Sequence, residues 1–125
     1  MIGYITLGIN DLDRAAAFYR PFMEELGYPV ARTSLKSMSW GKFGAGGALS
    51  ITKPFDGNAA TIGNGSMVAL EARTHDHVVS LHALALSLGA TCEGPPGIRG
   101  STFYGAYVRD PDGNKLMLHR RHDAD

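Results

Sequence analysis

Five histidines and one cysteine are the residues of this 125-residue chain best suited to chemistry. His75 and His77 lie two apart at the head of a helical pattern, and His77 and His82 lie five apart, a spacing that shares a helical face poorly. None of these spacings forms a zinc pattern, so His75, His77 and His82 read as solvent-facing or capping residues. His122 belongs to the tail His119-Arg-Arg-His-Asp-Ala-Asp125, which reads as a frayed polar terminus. Cys92 follows Gly-Ala-Thr, has no obvious activating neighbour, and reads as a structural or partly exposed thiol. No Ser-His-Asp or Cys-His constellation has a recognisable spacing. Gly44-Ala-Gly-Gly47 and Gly63-Asn-Gly65 lack a following Lys-Ser/Thr, so they read as turns and not as phosphate loops.

Composition narrows the classes further. Lys plus Arg number 12 and Asp plus Glu number 12, which leaves no net field to attract nucleic acid. Hydrophobic residues make up 44%, enough for a core in one compact domain. Met1 to Leu7 lacks a basic region and a long apolar run, so it reads as a strand and not as a signal peptide. No segment approaches membrane-spanning length. A single cysteine excludes an intrachain disulfide and points to a reducing cytoplasm.

The elements that would position chemistry fall into two similar halves. Apolar alternation predicts strands at Tyr4 to Ile9 and Met67 to Ala72. An amphipathic helix follows each, Leu12 to Leu26 and about Asp76 to Leu88, with Asp11 and Thr74 as N-caps and Gly27 and Gly89 as left-handed ends. The expected buried stripes are Leu12, Ala15, Tyr19, Phe22, Met23 and Leu26, then Val78, Leu81, Ala85 and Leu88. Pro21 removes a backbone donor inside the first helix and should kink it. Shorter strands come next: about Val30 to Ser34, Ser37 to Phe43 and Ala48 to Lys53, then Thr91 to Glu93, Phe103 to Arg109 and Lys115 to His119. Asp110-Pro-Asp-Gly113 is a strong turn. Each half is therefore βαβββ, joined by a linker over Pro54 to Gly65.

Three segments, in order, carry a resemblance. They are Gly8-Ile-Asn-Asp-Leu-Asp-Arg-Ala-Ala-Ala-Phe-Tyr19, Pro54-Phe-Asp-Gly57 with Gly63-Asn-Gly65, and Tyr104-Gly-Ala-Tyr-Val-Arg-Asp-Pro-Asp-Gly-Asn114. Together they resemble the vicinal oxygen chelate superfamily, the group of glyoxalase I, extradiol dioxygenases and bleomycin-resistance proteins. The resemblance implies an α+β fold. Two βαβββ modules, about 1–53 and 66–120 with the linker at 54–65, would form one curved, cup-shaped mixed sheet with helices on its convex face. It covers nearly all of 1–125. It also implies a homodimer whose modules complete one another's cups.

The same resemblance places the family's four metal-ligand positions at Tyr4, Ser50, Met67 and Met117. Metal-dependent members hold His or Glu there. Strand alternation agrees on the placement: Ile5, Leu7, Leu49, Ile51, Val68, Leu70, Leu116 and Leu118 face the helices, which leaves these four on the other face. A phenol, a hydroxyl and two thioethers are poor ligands for zinc, iron, nickel or magnesium. No metal site and no cofactor are therefore expected.

A ligand cavity is the sharper reading of the cup, and ordinary packing by the same Tyr and Met side chains is the plainer one. Met117, Met67, Trp40 and Tyr104 would give apolar walls, and Tyr4, Ser50, Arg99 and His119 a few polar contacts. Arg99 and Tyr104 flank the Gly/Pro segment Glu93 to Ser101, a possible rim. For metal-free acid–base chemistry the candidates on that face are His119, Glu71 and Tyr4. Glu71 and Arg109 are candidates for an internal ion pair. The leading function is metal-free binding of a small, partly apolar molecule, with no nucleic-acid or membrane partner. The alternatives are a glyoxalase-I-like lyase or dioxygenase-like enzyme, and a degenerate domain serving protein association.

Overall fold

The computed structural model describes residues 1–122. The three residues that close the polar tail lie outside the described residues. The chain divides into two compact units, Met1–Ile62 and Gly63–Asp125.

The first unit runs β1 (Tyr4–Gly8), α1 (Leu12–Leu26), β2 (Val30–Thr33), β3 (Ser37–Lys42) and β4 (Gly47–Thr52). Its four strands order as β1-β4-β3-β2, with β1 and β4 parallel and the rest antiparallel. Asp11 caps α1 by accepting from the Arg14 amide at 3.1 Å. Gly27 ends it at φ 99°, where a Cβ would be strained. The helix runs unbroken through Pro21. Ala15, Phe18, Tyr19, Phe22, Met23 and Leu26 are buried along it. Phe18 thus joins the expected stripe, and Leu12 is only half-buried. The stripe meets Met38, Trp40, Leu49 and Ile51, all buried on the helix side of the sheet. After β4 the Asn10 side chain holds the linker, accepting from the Ala60 amide at 2.7 Å.

The second unit repeats the order: β5 (Val68–Glu71), α2 (His75–Ser87), β6 (Thr91–Arg99), β7 (Phe103–Arg109) and β8 (Lys115–Arg121). Strand order is β5-β8-β7-β6, again with one parallel pair, β5 with β8. Thr74 caps α2 through the His77 amide at 3.0 Å. The Asp110-Pro-Asp-Gly113 turn is locked by the buried Asp110 carboxylate. Its Oδ1 accepts from the amides of Asp112 and Asn114, both at 2.9 Å, and its Oδ2 from the Asn114 side chain at 3.0 Å. One carboxylate thus holds three donors of the turn.

Two differences from the sequence reading bear on function. Strand β6 extends through Pro95 and Pro96 to Arg99, where a loop was expected, with register shifts between Cys92 and Gly97. It is an edge strand, where the missing proline donors cost no ladder bond, and its bulges absorb the irregularity. Met67 falls just ahead of β5 and not within it.

Candidate functional site

In each unit one sheet face packs on the helix and the other is helix-free. Cross-strand register assigns side chains to these faces without ambiguity, because directly opposed residues point the same way. In the first unit Ser39 opposes Ser50 and Thr6 opposes Ser50 from the other side, so all three lie on the helix-free face, with Tyr4 two residues along. Ser39 and Ser50 are buried and share a hydrogen bond of 2.7 Å between their Oγ atoms. Tyr4 stays 59% exposed, its ring edge-on to Phe43 at 5.4 Å.

In the second unit the helix-free face carries Met117, opposed by Tyr107 on β7 and Ala69 on β5. One step along, His119 is opposed by Gly105 and Glu71. Met117 is only 7% exposed. Its methyl lies 2.6 Å from where a Gly105 Cβ would be, so a side chain at 105 would push the Met117 methyl aside. Phe103 meets the His119 ring edge-on at 5.2 Å. The His119 Nδ1 atom is buried with no hydrogen-bond partner. Met67, which precedes β5, is 45% exposed.

Arg99 belongs to this face through an unusual arrangement. Its guanidinium folds back along its own strand, donating to the carbonyls of Pro95 and Ile98. It sits over the Tyr107 ring, 5.4 Å from the centroid. A Cβ on Gly97 would come within 3.0 Å of Nη1, and one on Gly94 within 3.2 Å of Nη2 and 2.9 Å of the Tyr107 ring. The two glycines of Glu93-Gly-Pro-Pro-Gly97 therefore make room for Arg99 and Tyr107. Lys115 brings a second cation over the same ring, its Nζ 5.1 Å from the centroid.

Six of the eight expected binding residues, namely Tyr4, Ser50, Met67, Arg99, Met117 and His119, thus lie on or beside the helix-free faces. Two do not. Trp40 is 1% exposed, opposes Leu49 and stacks at a tilt on Tyr19 of α1, with 5.9 Å between ring centroids. A groove of about 350 Å³ reaches it from beside Arg20, Tyr28 and Val30, on the helix side. Tyr104 stacks on His75 of α2 at 4.7 Å, also on the helix side. The physical reason is alternation: Trp40 shares parity with Met38, and Tyr104 with Ala106 and Val108. Tyr107, Phe103 and Ser39 were missed; alternation along β8 already puts Lys115 on the helix-free face. Counting back from the Asp110–Gly113 turn pairs Tyr107 with Met117, a signal the sequence contains.

The histidines and acids also need correction. Of the solvent-facing or capping roles expected, His77 takes the capping one from a buried position, and the buried His82 takes neither. His77 Nδ1 accepts from the Arg73 amide at 3.0 Å. His82 Nε2 lies 3.3 Å from Cys92 Sγ, so the cysteine does have an imidazole neighbour, brought from α2. Burial lowers the His82 pKa. Arg109 pairs with Glu93 at 2.9 Å and not with Glu71, which lies 3.9 Å from Arg120.

The family model for the glyoxalase/bleomycin resistance protein/dioxygenase superfamily matches residues 1–118. The chain belongs to that superfamily. A glyoxalase/bleomycin resistance protein from Albidiferax ferrireducens is 34% identical over 94% of this chain and 95% of that one, with a TM-score of 0.86. A glyoxalase-related enzyme from Fulvimarina pelagi shares the fold at 23% identity, covering 95% of this chain and 86% of that one, with a TM-score of 0.76. No curated protein is similar enough to match.

The superfamily implies a divalent metal in its metal-dependent members. The donors here do not fit one. The four positions that the resemblance assigns, Tyr4, Ser50, Met67 and Met117, offer a phenol, a hydroxyl and two thioethers, and Met117 turns its methyl toward Gly105. Among the described residues, no three His, Cys, Asp or Glu side chains gather as a ligand set.

Proposed function

We propose that this superfamily member binds a small, partly apolar molecule without a metal, using the helix-free sheet faces. The observation that carries this reading is the condition of the superfamily positions. Tyr4 and Met67 keep 59% and 45% of their surface, so neither is consumed by packing, while Met117 forms an apolar floor beside Tyr107 and His119. Apolar walls with a few polar groups are what small-molecule sites usually offer. The protein would act as a homodimer in a reducing cytoplasm, in keeping with the superfamily habit and the lone Cys92. Among the described residues, no helix is long and apolar enough to cross a membrane.

A thermal-shift screen of small apolar and aromatic compounds, paired with elemental analysis of natively purified protein, tests the reading. Hits should appear without stoichiometric zinc, nickel or iron. They should vanish in Ala69→Trp, which builds an indole over Met117 from an exposed position. One tightly held metal per chain, or hits indifferent to that indole, would defeat it. Sedimentation showing only monomer at micromolar concentration would remove the dimer from the reading.

One observation favours turnover as a second reading. His119 puts an imidazole, an acid–base side chain, on the same helix-free face as Met117. Loss of turnover, but not of binding, in His119→Gln would support it.

A further inference from the structure

We propose that Arg99 and Lys115 form an anion subsite on the helix-free face of the second unit, and that its ligand is a small carboxylate with a flat apolar body. The inference rests on the binding reading above and specifies its ligand class. Both cations sit over one ring, Tyr107, at 5.4 and 5.1 Å. Neither has a carboxylate partner among the described residues. The nearby acid Glu93 is already taken by Arg109. An arriving anion would be attracted by both charges.

Arg99 is also held in place before any ligand arrives. Its contacts to the Pro95 and Ile98 carbonyls and to Tyr107 fix the guanidinium, and Gly94 and Gly97 clear the space it occupies. Two of its five N–H donors go to those carbonyls, which leaves others for a ligand. A fixed planar fork matches a carboxylate better than a flexible ammonium does and loses little entropy on binding. Beside it, Met117 and the exposed Ala69 and Phe103 give the apolar surface for a flat body. A cationic ligand would meet repulsion, and a purely apolar one would leave both cations unanswered.

The test is an NMR titration of the full chain with cinnamate and with cinnamamide, its neutral isostere, following the Met117 methyl signal. Cinnamate should move that signal and bind at least about tenfold more tightly than the amide, since hydrogen bonds to charged groups carry that much. Added salt should weaken the acid and spare the amide. R99Q and K115Q should each narrow the gap between the two probes, and together should abolish it. Equal binding of acid and amide overturns the anion subsite and leaves the binding reading standing. Binding of neither probe at the Met117 methyl overturns the subsite, and an empty thermal-shift screen would then remove the binding reading too.

Discussion

The two units share a backbone plan and differ on both sheet faces. Ser39 opposes Ser50 in the first unit where Tyr107 opposes Met117 in the second, and Thr6 stands where the second unit has Ala69. One slot is a small neutral hydrogen-bonded pair. The other is a thioether beside an aromatic ring that two cations contact. The helix sides differ as well. α1 buries Phe18, Tyr19 and Phe22 with Trp40 of β3, an aromatic core, with Phe18 and Phe22 stacked at 5.4 Å. α2 buries Val78, Leu81 and Ala85 with two histidines, His77 and His82. Strand order and register repeat, yet the chemistry does not. In this fold the backbone supplies places and the side chains decide what happens there.

The largest expected effect tests the aromatic core. Trp40→Ala should cost about 3–5 kcal/mol, because it removes a fully buried indole packed on Tyr19. Tyr104→Ala should cost clearly less, since Tyr104 is half-buried and stacks on His75 near the helix start. Urea denaturation of both variants measures the difference. A Trp40→Ala protein as stable as the parent would return Trp40 to the list of ligand walls.

The polar slot gives a smaller, sign-dependent effect. Ser39→Ala leaves the Ser50 hydroxyl buried and without its partner, at a cost of about 1–3 kcal/mol. Ser39→Ala with Ser50→Ala removes both groups and should recover most of that loss. A double-mutant cycle measures the coupling. If the two losses simply add, the pair is not the self-satisfying unit described here, and the contrast with Tyr107 and Met117 weakens.

The fold was legible in the sequence because its signals were local and redundant. Caps at Asp11 and Thr74, the glycine at Gly27 and the self-bonded Asp110 turn each fix a boundary with their own side chains or backbone. The site was legible only as far as strand parity was followed. Parity placed Tyr4, Ser50, Met117 and His119 correctly. Applied to β3 and β7, it would have moved Trp40 and Tyr104 to the helix side and brought in Tyr107. The Arg99 arrangement was hidden for a different reason: it depends on a bulged edge strand that reads as a Gly/Pro loop. The His82–Cys92 contact joins two elements, and no sequence spacing announces it.

That contact supplies the smallest effect, and it separates the two cores by pH. Burial holds the His82 pKa below its ordinary value of 6.5. The folded state therefore resists a proton that the unfolded chain accepts. The sign follows from linkage: this contribution is fully present above about 6.5 and is lost as pH falls from there toward the lower folded value. α1 packs on a core with no histidine, so its local stability should be flatter over the same window. Hydrogen-exchange protection factors, corrected for intrinsic exchange, should fall for α2 amides between pH 7 and 5.5 more than for α1 amides. His82→Gln should remove that excess while leaving the α1 profile alone. An equal loss in both helices, or an α2 slope that survives the substitution, would mean that the acid sensitivity of this protein lies elsewhere than in its second core.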